Sequence, residues 1–139
     1  MKEFIKLTKI MKRLRNPING CPWDRKQTPE TMLKCLQEEM YELEEAIAKN
    51  DLDNCCEELG DVLFQLVFIA RIFEERKAFT FSESIDRVAK KMIRRHPHVY
   101  DDKKISSHEE LISQWEAIKA EENREKGREK KSALDGVPK

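Results

Sequence analysis

The sequence has few of the residues that break helices and no long hydrophobic run. Its 139 residues include 4 glycines and 5 prolines, whereas charged residues and hydrophobic residues each make up 39%. This composition predicts amphipathic helices rather than sheets, and the length predicts one domain. The apolar stretches within residues 62–70 fall short of the about 18 residues that a membrane span requires, and the N-terminus lacks the apolar core of a secretory signal. We therefore expect no membrane association.

The sequence also lacks an excess of charge of either sign and lacks any C-x-x-C pair. Lys and Arg together number 27, and so do Asp and Glu, which argues against a protein that binds nucleic acid by overall attraction. The spacing of the four cysteines suits neither a zinc knuckle nor a simple disulfide. They are Cys21, Cys35, Cys55 and Cys56. We expect reduced thiols and a cytoplasmic protein.

Helical spacing and capping residues predict an all-α fold, a bundle of about five helices. Thr28, Thr80 and Ser107 stand where hydroxyl caps open three of these helices. The helices are expected at about residues 2–15, 28–49, 52–77, 80–95 and 107–126. Residues 1–126 form the predicted single domain, and residues 127–139 a charged, flexible tail.

The second and third predicted helices form an antiparallel hairpin around Asn50. The second helix carries a packing stripe with alternating spacings of three and four residues. Its members are Leu33, Leu36, Met40, Leu43 and Ile47. The third helix is apolar nearly all round, because Phe64 and Val67 lie outside its own stripe. Such a helix is either central to the domain or part of a subunit interface, and we favour a homo-oligomer.

Acidic residues are concentrated in this hairpin. Ten acids and a single base, Lys49, lie between Glu38 and Asp61. Glu39 and Glu42 share one helix face, as do Glu58 and Asp61, because each pair has i,i+3 spacing. In a hairpin centred at position 50, Glu39 lies level with Asp61 and Glu42 level with Glu58.

Four facing carboxylates have more than one interpretation. All-oxygen clusters suit Mg²⁺ or Mn²⁺, most commonly when a phosphate shares the coordination sphere. The ordinary alternative is a solvated acidic face. A di-iron bundle is disfavoured because it needs Glu-x-x-His on its helices, and no Glu stands three residues before His96, His98 or His108.

Basic residues cluster further along the chain. Between Arg87 and Arg95 there are five bases and no acid. Lys91 and Arg95 are one turn apart, and so are Trp115 and Lys119 on the last helix. Cations beside an aromatic ring could hold a polyphosphate and pack on a base, although a core tryptophan among solvated cations is the ordinary alternative. The sequence contains no Walker-type or G-x-G-x-x-G loop, so any phosphate would be bound by metal and by Lys or Arg.

Taken in order, these motifs resemble those of the MazG nucleoside triphosphate pyrophosphohydrolases. The resemblance covers roughly residues 9–138. Its motifs are Cys21-Pro22-Trp23-Asp24 with Gln27-Thr28, Glu38-Glu39-x-x-Glu42, Glu58-x-x-Asp61, Arg94-Arg95-His96-Pro97-His98-Val99-Tyr100, Trp115-x-x-x-Lys119 and Ser132-Ala133-Leu134-Asp135.

The resemblance implies an all-α NTP pyrophosphatase that uses Mg²⁺, with Mn²⁺ as a possible substitute, to hydrolyse (d)NTP to (d)NMP and pyrophosphate. It also implies a homodimer or higher homo-oligomer. The positions that match the family's metal ligands are Glu39, Glu42, Glu58 and Asp61. Those that match its nucleotide-binding positions are Lys91, Arg95, Trp115 and Lys119. We expect Glu38 or Glu39 to orient the attacking water.

Several alternatives stay open at the level of sequence. Longer family members carry two such domains, so this chain is expected to be a single-domain form or a first half, and a catalytically silent regulatory or assembly domain is the alternative function. The related dUTP-type and phosphoribosyl-ATP pyrophosphohydrolases share the carboxylate scheme. The sequence specifies neither the base nor the sugar of the nucleotide, and clearance of non-standard nucleotides competes with a role in lowering a signalling nucleotide. The roles of His96, His98 and the loop at Cys21–Asp24 are also open.

Overall fold

A computed structural model describes residues 1–102 and 104–134 of the chain, without the side chains of residues 128–134. Within these residues every regular element is a helix, which confirms the predicted all-α class. The helices are α1 (Lys2–Leu14), α2 (Pro22–Arg25), α3 (Pro29–Ala48), α4 (Leu52–Glu75), α5 (Phe81–Arg95), α6 (Pro97–Tyr100) and α7 (His108–Leu134).

The described helices differ from the five predicted ones in two ways. Two single-turn helices, α2 and α6, each begin at a proline and lie outside the five predicted helices. They are too short for an amphipathic repeat to reveal them. In addition, α7 continues to Leu134 because its Glu and Lys residues favour a helix and no proline interrupts it. The predicted flexible tail at 127–139 falls partly outside the described residues and stays a prediction.

The chain divides into two compact units, with Met1–Ser84 as the first and Ile85 as the beginning of the second. The first unit has a core formed by α1, α3 and α4. Its fully buried members are Met11, Met32, Val67, Phe68 and Ile72, and Phe4, Leu7 and Phe81 pack against them. Helix α1 is amphipathic, because Met11 is buried on one face while Lys2, Lys6 and Lys9 are exposed. The single domain predicted for residues 1–126 stays a prediction.

The α3–α4 hairpin sets the register of the candidate site. Thr28 caps α3 by accepting a hydrogen bond from the Thr31 amide, as predicted. The turn passes through Asn50 with a φ of 52°, a left-handed conformation that asparagine tolerates. Asp51 then caps α4 by accepting a hydrogen bond from the Asn54 amide at 3.2 Å. A side-chain cap therefore fixes the first turn of each helix.

Only part of the apolar surface of the hairpin packs inside the chain. Leu36 and Leu43 are half-buried, but Leu33, Met40 and Ile47 of the predicted stripe are exposed. On α4, Leu52, Leu59 and Leu66 are exposed too. The predicted stripe is thus wider than the surface that the described part of this chain covers.

A buried arginine connects α1, the loop around α2, and α4. Arg15 donates hydrogen bonds to the carbonyl oxygens of Asp24 and Gln27, at 2.6 and 3.2 Å. It also donates to the Glu75 carboxylate, and its guanidinium lies 5.7 Å from the centre of the Phe68 ring. Its side chain is 8% exposed. One charged group therefore anchors the loop onto the core of the first unit.

In the second unit, α5 and α7 are joined by ion pairs between Arg94, Arg95 and Glu122. The predicted Ser107 cap at the start of α7 is present, because the Glu110 amide donates a hydrogen bond to the Ser107 hydroxyl at 3.1 Å. In the first unit the Glu83 amide likewise donates to Thr80. Among the described residues, no helix combines the length and apolar character that crossing a membrane requires.

Replacing Arg15 with methionine is expected to destabilise the first unit by about 2–3 kcal/mol, because Glu75 and two loop carbonyl oxygens lose a buried donor. Chemical denaturation monitored by circular dichroism measures the change. The control is Lys49→Gln, which removes an exposed ion pair with Glu45 one helical turn away and should change stability very little. Equal losses in the two variants would contradict the assignment of Arg15 as an anchor.

Candidate functional site

The α3–α4 hairpin brings three of the predicted carboxylates together. Glu58 and Asp61 lie on successive turns of α4, and Glu39 approaches them from α3. One carboxylate oxygen from each of the three residues lies within 4.8 Å of the other two. The spacing predicted that carboxylates of the two helices face one another across the hairpin, and these three do. Three oxygens at this separation could share one metal ion.

Two carboxylate oxygens of this cluster are buried without a hydrogen-bond partner. Glu58 is 8% exposed, and Glu39 and Asp61 are half-buried. As carboxylates, Glu39 and Glu58 each keep one buried oxygen, Oε2, that no described group hydrogen-bonds. A buried carboxylate oxygen is costly without a hydrogen bond or a cation. The donor set, all oxygen and all anionic, therefore fits a hard divalent cation.

Crowding of the carboxyl groups changes their acidity. Burial, the Glu58 carboxyl and the charges of Glu42 and Asp61 raise the pKa of Glu39 to about 7. Burial also raises the pKa of Glu58, but a hydrogen bond with Glu39 opposes that rise. The two therefore titrate as a pair that can share a proton through this hydrogen bond. Without a cation, a shared proton relieves the repulsion between them.

The two remaining acidic candidates lie outside this group of three. Glu42 is exposed on α3, close enough to Glu39 and Glu58 to raise the pKa of each. It stands at the edge of the cluster, where it could complete a coordination sphere. Glu38 is also exposed and belongs to a neighbouring face of α3. Its predicted role in orienting water has no described contact behind it and stays a prediction.

The predicted cations belong to the second unit. Arg95 is paired with Glu122, Lys91 is half-buried, and Lys119 is exposed. Lys91 and Lys119 form no ion pair with the residues that the structure describes. Their charges are therefore available to a ligand, whereas part of the Arg95 guanidinium is already engaged.

Trp115 lies in a small aromatic cluster of the second unit. Its ring meets the His96 ring edge-on, with the ring centres 5.6 Å apart. His96 Nδ1 is 2.5 Å from the Met92 carbonyl oxygen, so that nitrogen carries the proton. The Gln114 amide donates to His98 Nδ1 at 3.1 Å. These contacts favour structural roles for the two histidines.

Glu122, which pairs with Arg94 and Arg95, was not predicted from the sequence. Glu122 is buried against α5 and accepts hydrogen bonds from both Arg94 and Arg95. The signal was present, because Leu111, Trp115 and Ile118 continue at helical spacing to position 122. An acid in a position that the periodicity assigns to an apolar residue indicates a buried charge with a dedicated partner.

The segment that contains the hairpin matches a known protein family. Residues 27–100 match the family described as the MazG nucleotide pyrophosphohydrolase domain. The chain belongs to the MazG family. The matched segment contains all of α3 and α4 and therefore all of the clustered carboxylates. The resemblance expected from the motifs is confirmed.

Similar proteins support the same assignment along nearly the whole chain. The nucleoside triphosphate pyrophosphohydrolase of Escherichia coli K12 is 44% identical over 138 residues, covering 99% of this chain and 52% of its own length. The nucleoside triphosphate pyrophosphohydrolase/pyrophosphatase MazG of Thermotoga maritima is 50% identical over 134 residues, covering 96% and 49%. This MazG chain thus spans about half the length of those curated relatives.

A solved structure shares the fold. The crystal structure of a MazG-related protein from Thermotoga maritima matches with a TM-score of 0.71 and 34% identity. The match covers 84% of this chain and 98% of the other. The MazG family thus includes a chain of which nearly all aligns with the present one.

The raised pKa of Glu39 predicts the pH dependence of stability. Unfolding returns this pKa from about 7 to 4.5, so Glu39 contributes stability that is complete below pH 4.5 and is lost as the pH rises through 7. With a chelator present, Glu39→Gln should therefore lose less stability than the wild type between these pH values. Thermal unfolding of both proteins across this range measures the difference.

The same titration in excess Mn²⁺ is the control. A cation among the carboxylates replaces the shared proton, so the difference between the two pH profiles should shrink or reverse in sign. Parallel profiles for the wild type and Glu39→Gln in chelator would show that Glu39 does not carry the raised pKa.

Proposed function

We propose that this MazG chain hydrolyses nucleoside triphosphates, with or without the 2′-hydroxyl, to the monophosphate and pyrophosphate. The observation that carries the proposal is the cluster of Glu39, Glu58 and Asp61, in which the Oε2 atoms of Glu39 and Glu58 are buried and have no hydrogen-bond partner in the described chain. Such a cluster needs a cation, and a polyphosphate substrate brings negative oxygens that a cation can share. The relatives named as nucleoside triphosphate pyrophosphohydrolases, of which the chain spans about half, support the same activity.

The metal that we propose is Mg²⁺, with Mn²⁺ as a substitute. Glu39, Glu58 and Asp61 would hold it, and Glu42 would join them from the edge of the cluster. The oxygen-only donor set and its negative charge favour a hard divalent cation over Zn²⁺ or copper. When bound, the cation supplies charge neutralisation at the triphosphate oxygens.

Four other residues are proposed to act on the nucleotide. Lys91 and Arg95 would bind the phosphates that leave as pyrophosphate. Trp115 and Lys119 would contact the nucleoside part of the substrate. Glu38 or Glu39 would orient the attacking water and receive its proton at a carboxylate oxygen. Glu39 is the better placed of the two, because it belongs to the cluster whereas Glu38 is exposed.

Loss of the α4 carboxylates should abolish activity. Glu58→Gln and Asp61→Asn are each expected to lower kcat/KM for pyrophosphate release by at least about 100-fold, since residues that merely support metal ligands already contribute about 10–100-fold. The assay follows pyrophosphate released from each NTP and dNTP in the presence of Mg²⁺. Glu57→Gln is the matched control, because it removes an exposed carboxylate from the neighbouring position of the same helix.

Wild-type rates in Glu58→Gln or Asp61→Asn would overturn the proposal. The alternative function, a catalytically silent regulatory domain, predicts different results in this assay and in calorimetry. Such a domain would release no pyrophosphate, and calorimetry would detect no binding of Mg²⁺ or Mn²⁺ with a non-hydrolysable triphosphate. The same assay, run on triphosphates with standard and with modified bases, also tests the proposed clearance of non-standard nucleotides. That role predicts a preference for the modified bases.

We propose that the chain acts as a homodimer or higher homo-oligomer through the exposed apolar face of its hairpin. Three residues of α3 and three of α4 recur there at intervals of seven, and all are between 40% and 72% exposed. They are Leu33, Met40, Ile47, Leu52, Leu59 and Leu66. A face of this pattern is typical of helices that pack against a second pair of helices.

A charge in the middle of this face should separate the subunits. Leu59→Glu is expected to convert the oligomer to monomers at micromolar concentration, as measured by sedimentation velocity. Ile18→Glu is the control, because Ile18 is 90% exposed but lies in the loop before α2. A wild type that sediments as a monomer would contradict the proposed assembly.

The four free thiols accord with the cytoplasmic location that we propose.

A further inference from the structure

We propose that Glu122 is a positioning residue that holds Arg95 in the orientation in which it binds substrate phosphate. The inference rests on the proposed function, since it concerns how that site binds its substrate. Glu122 belongs to α7 and Arg95 to the last turn of α5, so the contact joins two helices of the second unit. No contact between the units is needed for it.

The geometry of the contact is the first support. Arg95 donates from Nη2 to Oε1 of Glu122 at 2.7 Å and from Nε to the same oxygen at 3.1 Å. Arg94 donates in the same way to Oε2, at 2.7 Å from Nη2 and 2.9 Å from Nε. Arg95 Nε also donates to Oε2 at 3.4 Å. Each oxygen therefore receives both edge donors of one guanidinium, and Oε2 shares the Nε donor of Arg95. Two planar groups with delocalised charge are held in fixed orientations by one carboxylate.

The unused donors are the second support. A guanidinium has five N–H donors, and the side edge of Arg95 uses two of them on Glu122. The Nη1 group and the second N–H of Nη2 make no hydrogen bond within the described chain. The Arg95 side chain is 24% exposed, so part of it reaches solvent. Glu122 thus binds the Nε–Nη2 edge of the Arg95 guanidinium. The Nη1–Nη2 edge is left to bind a phosphate oxygen.

Charge balance is the third support. Two guanidinium groups share one carboxylate, so the trio of Arg94, Arg95 and Glu122 keeps a net charge of +1. Glu122 therefore orients Arg95 without cancelling the attraction for a polyphosphate. The pKa of Glu122 is lowered to about 2, chiefly by Arg95, so the carboxylate stays ionised at any pH at which an enzyme would be assayed.

Burial explains why such a residue would be retained. The Glu122 side chain is 10% exposed and lies at an apolar position of α7. A buried ion pair is seldom more stable than packed apolar side chains of the same volume. A purely structural contact would thus be served as well by a leucine, whereas fixing a guanidinium requires a carboxylate. Arg94, at 51% exposed, is the outer member of the trio, and Arg95 lies one helical turn from Lys91.

The test compares Glu122→Gln with Glu121→Gln. Both variants remove one carboxylate from α7, but Glu121 is exposed and pairs with Arg124 instead. We expect Glu122→Gln to raise the KM for the Mg²⁺ complex of the triphosphate about tenfold while kcat changes less than about threefold, as for a lost binding contact. Glu121→Gln should match the wild type. A KM unchanged or lowered in Glu122→Gln would overturn the inference.

A double-mutant cycle separates positioning from a structural role. In an Arg95→Gln background, Glu122→Gln should raise KM no further, because the group that it orients is gone. A structural role predicts the same added effect in both backgrounds, and that result would also overturn the inference. If Glu122→Gln does not fold, Glu122→Asp takes its place in the cycle, since the shorter carboxylate keeps the charge but loses its reach to both arginines.

Binding of inorganic pyrophosphate distinguishes this inference from the proposed function. A wild type that hydrolyses no triphosphate would refute the proposed activity, but calorimetry with pyrophosphate and Mg²⁺ would still report on Glu122. An approximately tenfold weaker affinity in Glu122→Gln than in Glu121→Gln supports the inference in either case. Equal affinities, or no pyrophosphate binding by the wild type, would overturn it.

Discussion

The packing of α4 against α3 is the constraint on which the rest of the candidate site depends. It aligns three carboxyl groups that repel one another and withdraws them partly from water. Neither helix alone would hold such a group, because Glu39 comes from one and Glu58 and Asp61 from the other. The free energy for this arrangement comes from the apolar contacts of Phe68, Met32 and their neighbours, which lie about two helical turns farther from Asn50 on the same faces of the two helices. Hydrophobic burial thus forces together charges that need a cation.

The chain handles its buried charges in two different ways. In the first unit, acids are gathered without protein donors, so the Oε2 atoms of Glu39 and Glu58 remain available to a ligand. In the second unit, Glu122 is surrounded by donors and is fully satisfied. The unpaired acids carry the proposed metal chemistry, and the paired acid serves the arginines. Net neutrality of the whole sequence conceals this division of charge.

Much of the fold and of the candidate site could be predicted from the sequence. The positions of α1, α3 and α4 followed from helical periodicity and from Thr28, and counting outward from Asn50 placed Glu39 beside Asp61. The helices α2 and α6 could not be predicted because a single turn has no periodicity. The position of Glu42 at the edge of the cluster depends on helix rotation, which spacing fixes only within tens of degrees. Glu122 was missed because charge on a helix is ordinarily solvated.

The short turn at Asn50 also restricts how the length of this segment can change. Each residue inserted between Glu42 and Ala48, or between Leu52 and Glu57, would rotate the helix beyond it by about 100° and advance it by about 1.5 Å. The carboxylates of α3 and α4 would then point in different directions. Substitutions at exposed polar positions there leave the register intact, whereas single insertions or deletions do not. The segment therefore tolerates changes of residue far better than changes of length.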